Sequence, residues 1–104
     1  MDQPKARLLF SQLVAMFHAA GMQQMGKVKN PFSEKIERDL PQAQVSIDML
    51  DMLKEKTRGN LQTDEERFLT NALSELKLNY VDERGKENSS EKAEGDKASG
   101  PEGQ

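Results

Sequence analysis

Apolar residues recur at the three- and four-residue spacing of α-helices in three successive segments of the chain. The first segment predicts a long helix from Lys5 to about Met25, which Gly26 is suited to end. Its apolar positions form two adjacent stripes, and together they make a face wider than a surface helix needs. These stripes are Leu9, Leu13, Met16 and Ala20, and Phe10, Val14, Phe17 and Gly21.

A second helix is predicted to begin near Asp39, whose carboxylate can accept hydrogen bonds from free N–H groups, with Pro41 in the first turn. A connector with an Asn30-Pro31 turn signal precedes it. The main apolar stripe of this helix consists of Ala43, Ile47, Leu50 and Leu53, while Val45, Met49 and Met52 lie towards another side. Because one stripe satisfies one neighbour, the second stripe predicts a second contact surface.

The segment MLKEKTRGNLQTDEERFL separates the second helix from a third. Gly59 is suited to a positive φ after the second helix, and Thr63 and Glu66 match a capping box in which Thr63 is the N-cap. The third helix then carries apolar residues at helical spacing, namely Phe68, Leu69, Ala72, Leu73, Leu76 and Tyr80. The pattern predicts an αα-hairpin. A DNA-reading pair of helices is disfavoured, because residues 64–66 would present three carboxylates to phosphates.

The apolar pattern ends after Val81, which divides the chain into a predicted three-helix domain, residues 1–81, and a tail, residues 82–104. The tail contains no Leu, Ile, Val, Met or aromatic residue, and seven Asp and Glu against four Lys and Arg give it a charge of −3. Such a segment cannot bury enough apolar surface to offset its ordering entropy, so we predict a disordered acidic tail. Residues 1–81 hold eleven charges of each sign and have no basic field to attract nucleic acid.

Residues with catalytic or metal-binding chemistry are few. The chain has no cysteine, which excludes disulfides, zinc thiolates and thiol nucleophiles and suits a reducing cytoplasm. His18 is the single histidine, and no carboxylate lies near it in its own helix. The acidic residues Asp48, Asp51 and Glu55 are best interpreted as a solvated helix face, since no loop with calcium-ligand spacing accompanies them. We therefore predict neither an enzyme nor a cofactor-binding protein, and a cytoplasmic location.

Two stretches of the chain, LLFSQLVAMFHAAGMQQMG (8–26) and SIDMLDMLKEKTRGNLQTDEERFLTNALSELKLNYVD (46–82), resemble a known family. They are similar to the short bacterial proteins of domain-of-unknown-function family eighteen forty-four. The most specific part is DMLDMLKEKTRGNLQTDEE. This resemblance implies an all-helical bacterial protein with no assigned activity, cofactor or functional residue.

The sequence therefore predicts an all-α protein with a long N-terminal helix, a helical hairpin and a disordered C-terminal tail. We expect a non-enzymatic interaction or adaptor protein that binds a helical partner or a second copy of itself as a homodimer. The alternative is association with a membrane surface through the first amphipathic helix. The candidate interaction surface consists of Phe10, Val14, Phe17, Val45, Met49 and Met52.

Overall fold

The computed structural model describes the backbone of residues 1–99 and the side chains of residues 1–87. This described part contains three helices and no strand: α1 (Gln3–Gln24), α2 (Leu40–Lys56) and α3 (Thr63–Ser99). Each helix packs against the other two, with α2 antiparallel to its neighbours. The predicted all-α class, with a long first helix followed by a helical hairpin, is confirmed.

The ends of α1 are fixed by local hydrogen bonds. At its start, the Asp2 carboxylate accepts from the Lys5 N–H at 2.9 Å. At its end, Gly26 has φ +90° and donates to the Gln23 carbonyl at 3.0 Å, while the next N–H, of Lys27, donates to Met22 at 2.9 Å. This pair of bonds is a Schellman motif, which needs a positive φ after the cap. The prediction that Gly26 ends the first helix is confirmed.

The start of α2 is also as predicted, whereas α3 begins differently. Asp39 is the N-cap of α2 and accepts from the Gln42 N–H at 3.1 Å. At the start of α3, the Gln62 N–H donates to the Glu65 carboxylate at 2.8 Å. The prediction that Thr63 is the N-cap and Glu66 reaches back was therefore wrong by one residue. Three successive carboxylates supply an acceptor in either register, so spacing alone does not distinguish the two.

The three helices bury a core of ten apolar side chains. They are Val14, Met25, Leu40, Ala43, Ile47, Leu50, Leu69, Ala72, Leu73 and Leu76. Beside this core, α1 passes close to both other helices at the buried residue Gly21. A Cβ atom at this position would lie 2.8 Å from Leu76 of α3 and 3.5 Å from Ser46 of α2. The absence of a side chain at Gly21 therefore permits the close approach of α1 to the hairpin.

The helical domain extends beyond the predicted boundary at Val81. Helix α3 continues without interruption, and Glu83 is only 6% exposed because it contacts residues of the connector between α1 and α2. Glu83, and Asp82 beside it, thus belong to the packed part of the protein. Residues 88–104 of the predicted disordered tail lie outside the residues whose side chains are described.

Two glycines provide a matched test of the packing at Gly21. We expect Gly21→Ala to destabilise the protein by about 1 kcal/mol, because the collision with buried Leu76 outweighs the gain in helix propensity. Gly85→Ala, in α3, meets no atom within 4 Å and should stabilise by up to about 1 kcal/mol. Urea unfolding of both variants measures the difference. Equal stabilisation by the two alanines would contradict the close approach.

A second prediction concerns the start of α3. Glu65→Ala should lower the free energy of unfolding by about 0.5–2 kcal/mol, because it removes both the bond to Gln62 and a favourable charge. Glu66→Ala, the matched control, should cost only the charge term of about 0.3–1 kcal/mol. Thr63→Ala should leave the urea midpoint nearly unchanged. A larger loss from Thr63→Ala than from Glu65→Ala would restore Thr63 as the cap.

Candidate interaction surfaces

The six residues of the predicted interaction surface occupy three different environments. Val14 is fully buried in the core, and Phe10 and Phe17 are partly buried against it. The α2 residues of the set are all exposed at the surface, namely Val45, Met49 and Met52. The structure therefore divides the predicted set into a core-facing part on α1 and a solvent-facing part on α2.

Three of the exposed apolar residues of α1 come from its other stripe. Leu9, Leu13 and Met16 are exposed, although sequence reasoning did not assign them to the interaction surface. With Val45, Met49 and Met52 they form what we term the α1–α2 face. Both groups lie about 100° or more around their helices from the side chains that bond to α3, at 100° per residue. Those side chains are Arg7, His18 and Asp51.

The opposite side of α1 faces α3 across three polar side-chain pairs: two ion pairs and, between them, a hydrogen bond from His18. Arg7 pairs with Asp64, His18 Nε2 lies 2.5 Å from Glu75 Oε1, and Lys27 Nζ lies 2.9 Å from Asp82. In each pair the nitrogen-bearing side chain belongs to α1 or the residues just after it, and the carboxylate belongs to α3. The partner of His18 was missing from the sequence analysis, because Glu75 is 57 residues away.

An open depression, which we term the α1–α3 groove, lies beside the Arg7–Asp64 and His18–Glu75 pairs. Its main hollow has a volume of about 500 Å³, and a second hollow of about 300 Å³ adjoins it at Phe68. The main hollow is lined by Ala15, His18, Phe68, Asn71, Ala72, Ser74, Glu75 and Leu78. The second is lined by Arg7, Leu8, Ser11, Asp64, Glu65 and Phe68. Two of the residues that line the main hollow, Ala15 of α1 and Ala72 of α3, are small.

A second polar centre joins the connector to α3 around Glu83. Lys27 Nζ lies 2.9 Å from the Glu83 carboxylate, Lys86 lies 3.1 Å from it, and Arg38 donates to the Glu83 carbonyl at 3.0 Å. The hydrogen bond from Lys27, supported by the one from Lys86, lowers the pKa of Glu83. The hydrogen bond from Lys27 to Asp82 likewise lowers the pKa of Asp82. The same bonds raise the pKa of Lys27 to about 12. Paired in this way, a nearly buried carboxylate can remain ionised.

The connector itself is organised by Asn30. Its side-chain oxygen accepts from the backbone N–H groups of Phe32 at 2.8 Å and Ser33 at 3.3 Å, and its nitrogen donates to Glu37 at 2.9 Å. An Asn side chain that bonds two residues onward forms an Asx turn. The predicted turn at Asn30-Pro31 is therefore confirmed.

The remaining candidate residues do not form a metal site. Among residues 1–87, no three His, Cys, Asp or Glu side chains come together in a way that could hold a metal ion. Asp51 pairs with Lys77 at 3.6 Å, and Asp48 accepts from Gln44 at 2.9 Å. No helix in the described part of the chain is long and apolar enough to cross a membrane.

These features define a small three-helix protein whose distinctive surfaces are two apolar helical faces. A family model described as "Domain of unknown function (DUF1844)" matches residues 7–83, and the chain belongs to this family. The resemblance inferred from the sequence is thereby confirmed. No curated protein and no solved structure matches the chain.

The Glu83 centre predicts a pH dependence. A lowered pKa in the folded state means that Glu83 stabilises the protein above its ordinary pKa of 4.5, and that this stabilisation is lost as the pH falls through the lower folded value. Glu83→Gln should therefore destabilise by about 1–3 kcal/mol at pH 7 and progressively less below pH 4.5.

Urea unfolding between pH 3 and pH 8 would measure this difference, with Glu87→Gln as the control in an exposed position of the same helix. The stabilisation from Lys27 has the opposite pH dependence: it is lost as the pH rises, not as it falls. Because its folded pKa is raised, its stabilisation is complete below pH 10.5 and is lost as the pH rises towards about 12. A pH-independent effect of Glu83→Gln would contradict the ionised pair.

Proposed function

We propose that this protein is a non-enzymatic interaction protein of the bacterial cytoplasm that associates with a second copy of itself through the α1–α2 face. The observation that carries the proposal is the exposure of six large apolar side chains on one side of a bundle this small. They are Leu9, Leu13, Met16, Val45, Met49 and Met52. Exposed apolar side chains gathered on one side of a protein are characteristic of protein interfaces.

The composition of this face supports helix-to-helix association. Met16, Met49 and Met52 are flexible, polarisable side chains that adapt to an opposing surface. Phe10 and Phe17 of α1 are partly buried and pack against the core. A two-fold dimer applies the same patch on both copies, so a single face is sufficient to close the assembly.

The size of the core also favours an additional interface. Ten buried apolar residues form the core in the described part of the chain, and a domain with one core this small is only marginally stable. Burial of the α1–α2 face against a second copy removes further apolar surface from water. Dimerisation would thus stabilise the fold as well as create the assembly.

Analytical ultracentrifugation at micromolar concentration tests the proposal. We expect a species of twice the 11.7 kDa chain mass that dissociates on dilution. Met49→Glu, on the α1–α2 face, should shift the equilibrium towards monomer by about tenfold or more, since it places a charge in a desolvated interface. Met49 is 39% exposed, so the substitution should leave the fold intact, whereas Phe17→Glu would also disturb the core.

The matched control is Val81→Glu, which introduces the same charge at an exposed apolar residue of α3 outside this face. Circular dichroism of both variants should match that of the unmodified chain. A single 11.7 kDa species with no concentration dependence, or equal effects of the two glutamates, would refute self-association through the α1–α2 face.

A further inference from the structure

The α1–α3 groove is a second apolar surface, on the side of α1 away from the α1–α2 face. Leu8, Phe68 and Leu78 are exposed along it, and its floor contains the small residues Ala15 and Ala72. Small residues between larger ones leave a hollow that an inserted side chain from outside can fill. The proposed self-association does not use this groove.

The rim of the groove presents negative charge because carboxylates are its most accessible charged groups. In the Arg7–Asp64 pair, the Asp64 side chain is 67% exposed and the Arg7 side chain is 42% exposed. In the His18–Glu75 pair, the Glu75 side chain is 58% exposed and the His18 side chain is 27% exposed. The carboxylate is therefore the more accessible member of each pair, and it retains oxygen lone pairs that can accept further hydrogen bonds. Glu65, next to Asp64 in the lining of the second hollow, adds a third carboxylate.

We propose that the α1–α3 groove binds one amphipathic helix of a partner protein, with the apolar stripe of that helix on the floor and its Lys or Arg residues at the rim. An apolar floor requires apolar anchors at helical spacing, as in other helix-in-groove complexes. A carboxylate rim favours cationic flanks and disfavours acidic ones. The charges of the groove thus define which class of helix fits it.

The dimensions of the groove fix the spacing of the partner's cations. Asp64 and Glu75 are eleven residues apart in α3, which corresponds to about 16 Å along the helix axis. A helix lying along the groove therefore needs basic residues about eleven positions apart, with apolar anchors at three- and four-residue spacing between them. The central anchor would lie over Ala72, a buried residue in the lining of the main hollow.

Two synthetic peptides provide the probes for a binding experiment. Both are helices of about 15 residues with leucines on one face; one carries lysines at two positions eleven apart, and the other carries glutamates there. Isothermal calorimetry and amide NMR of the full ¹⁵N-labelled chain would measure affinity and location. We expect the lysine peptide to bind about tenfold more tightly than the glutamate peptide, from two exposed charge pairs. Its shifts should centre on Ala15, Phe68 and Leu78.

Two matched pairs of variants test whether the groove is the binding site. Ala15→Leu fills the hollow from an exposed position of α1 and should abolish binding, whereas Ala19→Leu, exposed one turn later and outside the lining, should not change it. Glu75→Gln should remove part of the preference for the lysine peptide. Glu55→Gln, exposed on α2, should preserve that preference.

The experiment separates this proposal from that of self-association. Binding of the lysine peptide should be retained in Met49→Glu, which disrupts only the α1–α2 face. The groove proposal is overturned if both peptides bind equally, if binding survives Ala15→Leu, or if the shifts map to Leu9, Leu13 and Met49. A failure of Met49→Glu to change the mass would instead count against the proposed dimer alone.

Discussion

The arrangement of the molecule depends on how closely α1 can approach α3, and Gly21 sets that distance. Because no Cβ separates Gly21 from Leu76, the two helices settle in one register along their length. In that register Arg7 and His18 both meet carboxylates 57 residues further along the chain. At Lys27, after the Gly26 turn, the separation falls to 55. These polar pairs are consequences of this packing: the carboxylate of each pair is exposed, so each pair contributes little stability alone.

The connector is positioned by polar contacts because its apolar residues do not enter the core. Val28, Phe32 and Ile36 are all exposed, so their burial contributes nothing to holding this segment. Asn30 closes the turn internally, and Glu83 ties Lys27 and Arg38 to α3. The first residues of the apparently featureless tail thus complete the helical domain. Truncation at Val81 would remove Glu83 and leave the connector without its attachment.

Sequence reasoning identified the helices accurately where a local signal specified them, as at Asp39 and Gly26. It could not identify contacts between residues distant in the chain. The burial of Glu83 depends on Lys27 and Arg38, which lie more than forty residues earlier, and no local pattern indicates it. The two stripes of α1 presented a similar problem. Periodicity shows that both are apolar, but only the positions of α2 and α3 decide that Val14 is buried and Leu13 exposed.

Helix α1 contributes to both proposed surfaces, and this dual role bears on the alternative of membrane association. To place the stripe that contains Phe10, Val14 and Phe17 on a lipid surface, α1 would have to withdraw Val14 from the core and uncover Leu76 beneath Gly21. It would also separate Arg7 and His18 from their carboxylates. Loss of several core contacts costs more than a bundle this small can supply. A protein partner requires no such rearrangement, since the α1–α2 face and the α1–α3 groove are both accessible while α1 remains packed. Under the two proposals, α1 would contact a second copy on one side and a partner helix on the other, which is the arrangement an adaptor needs.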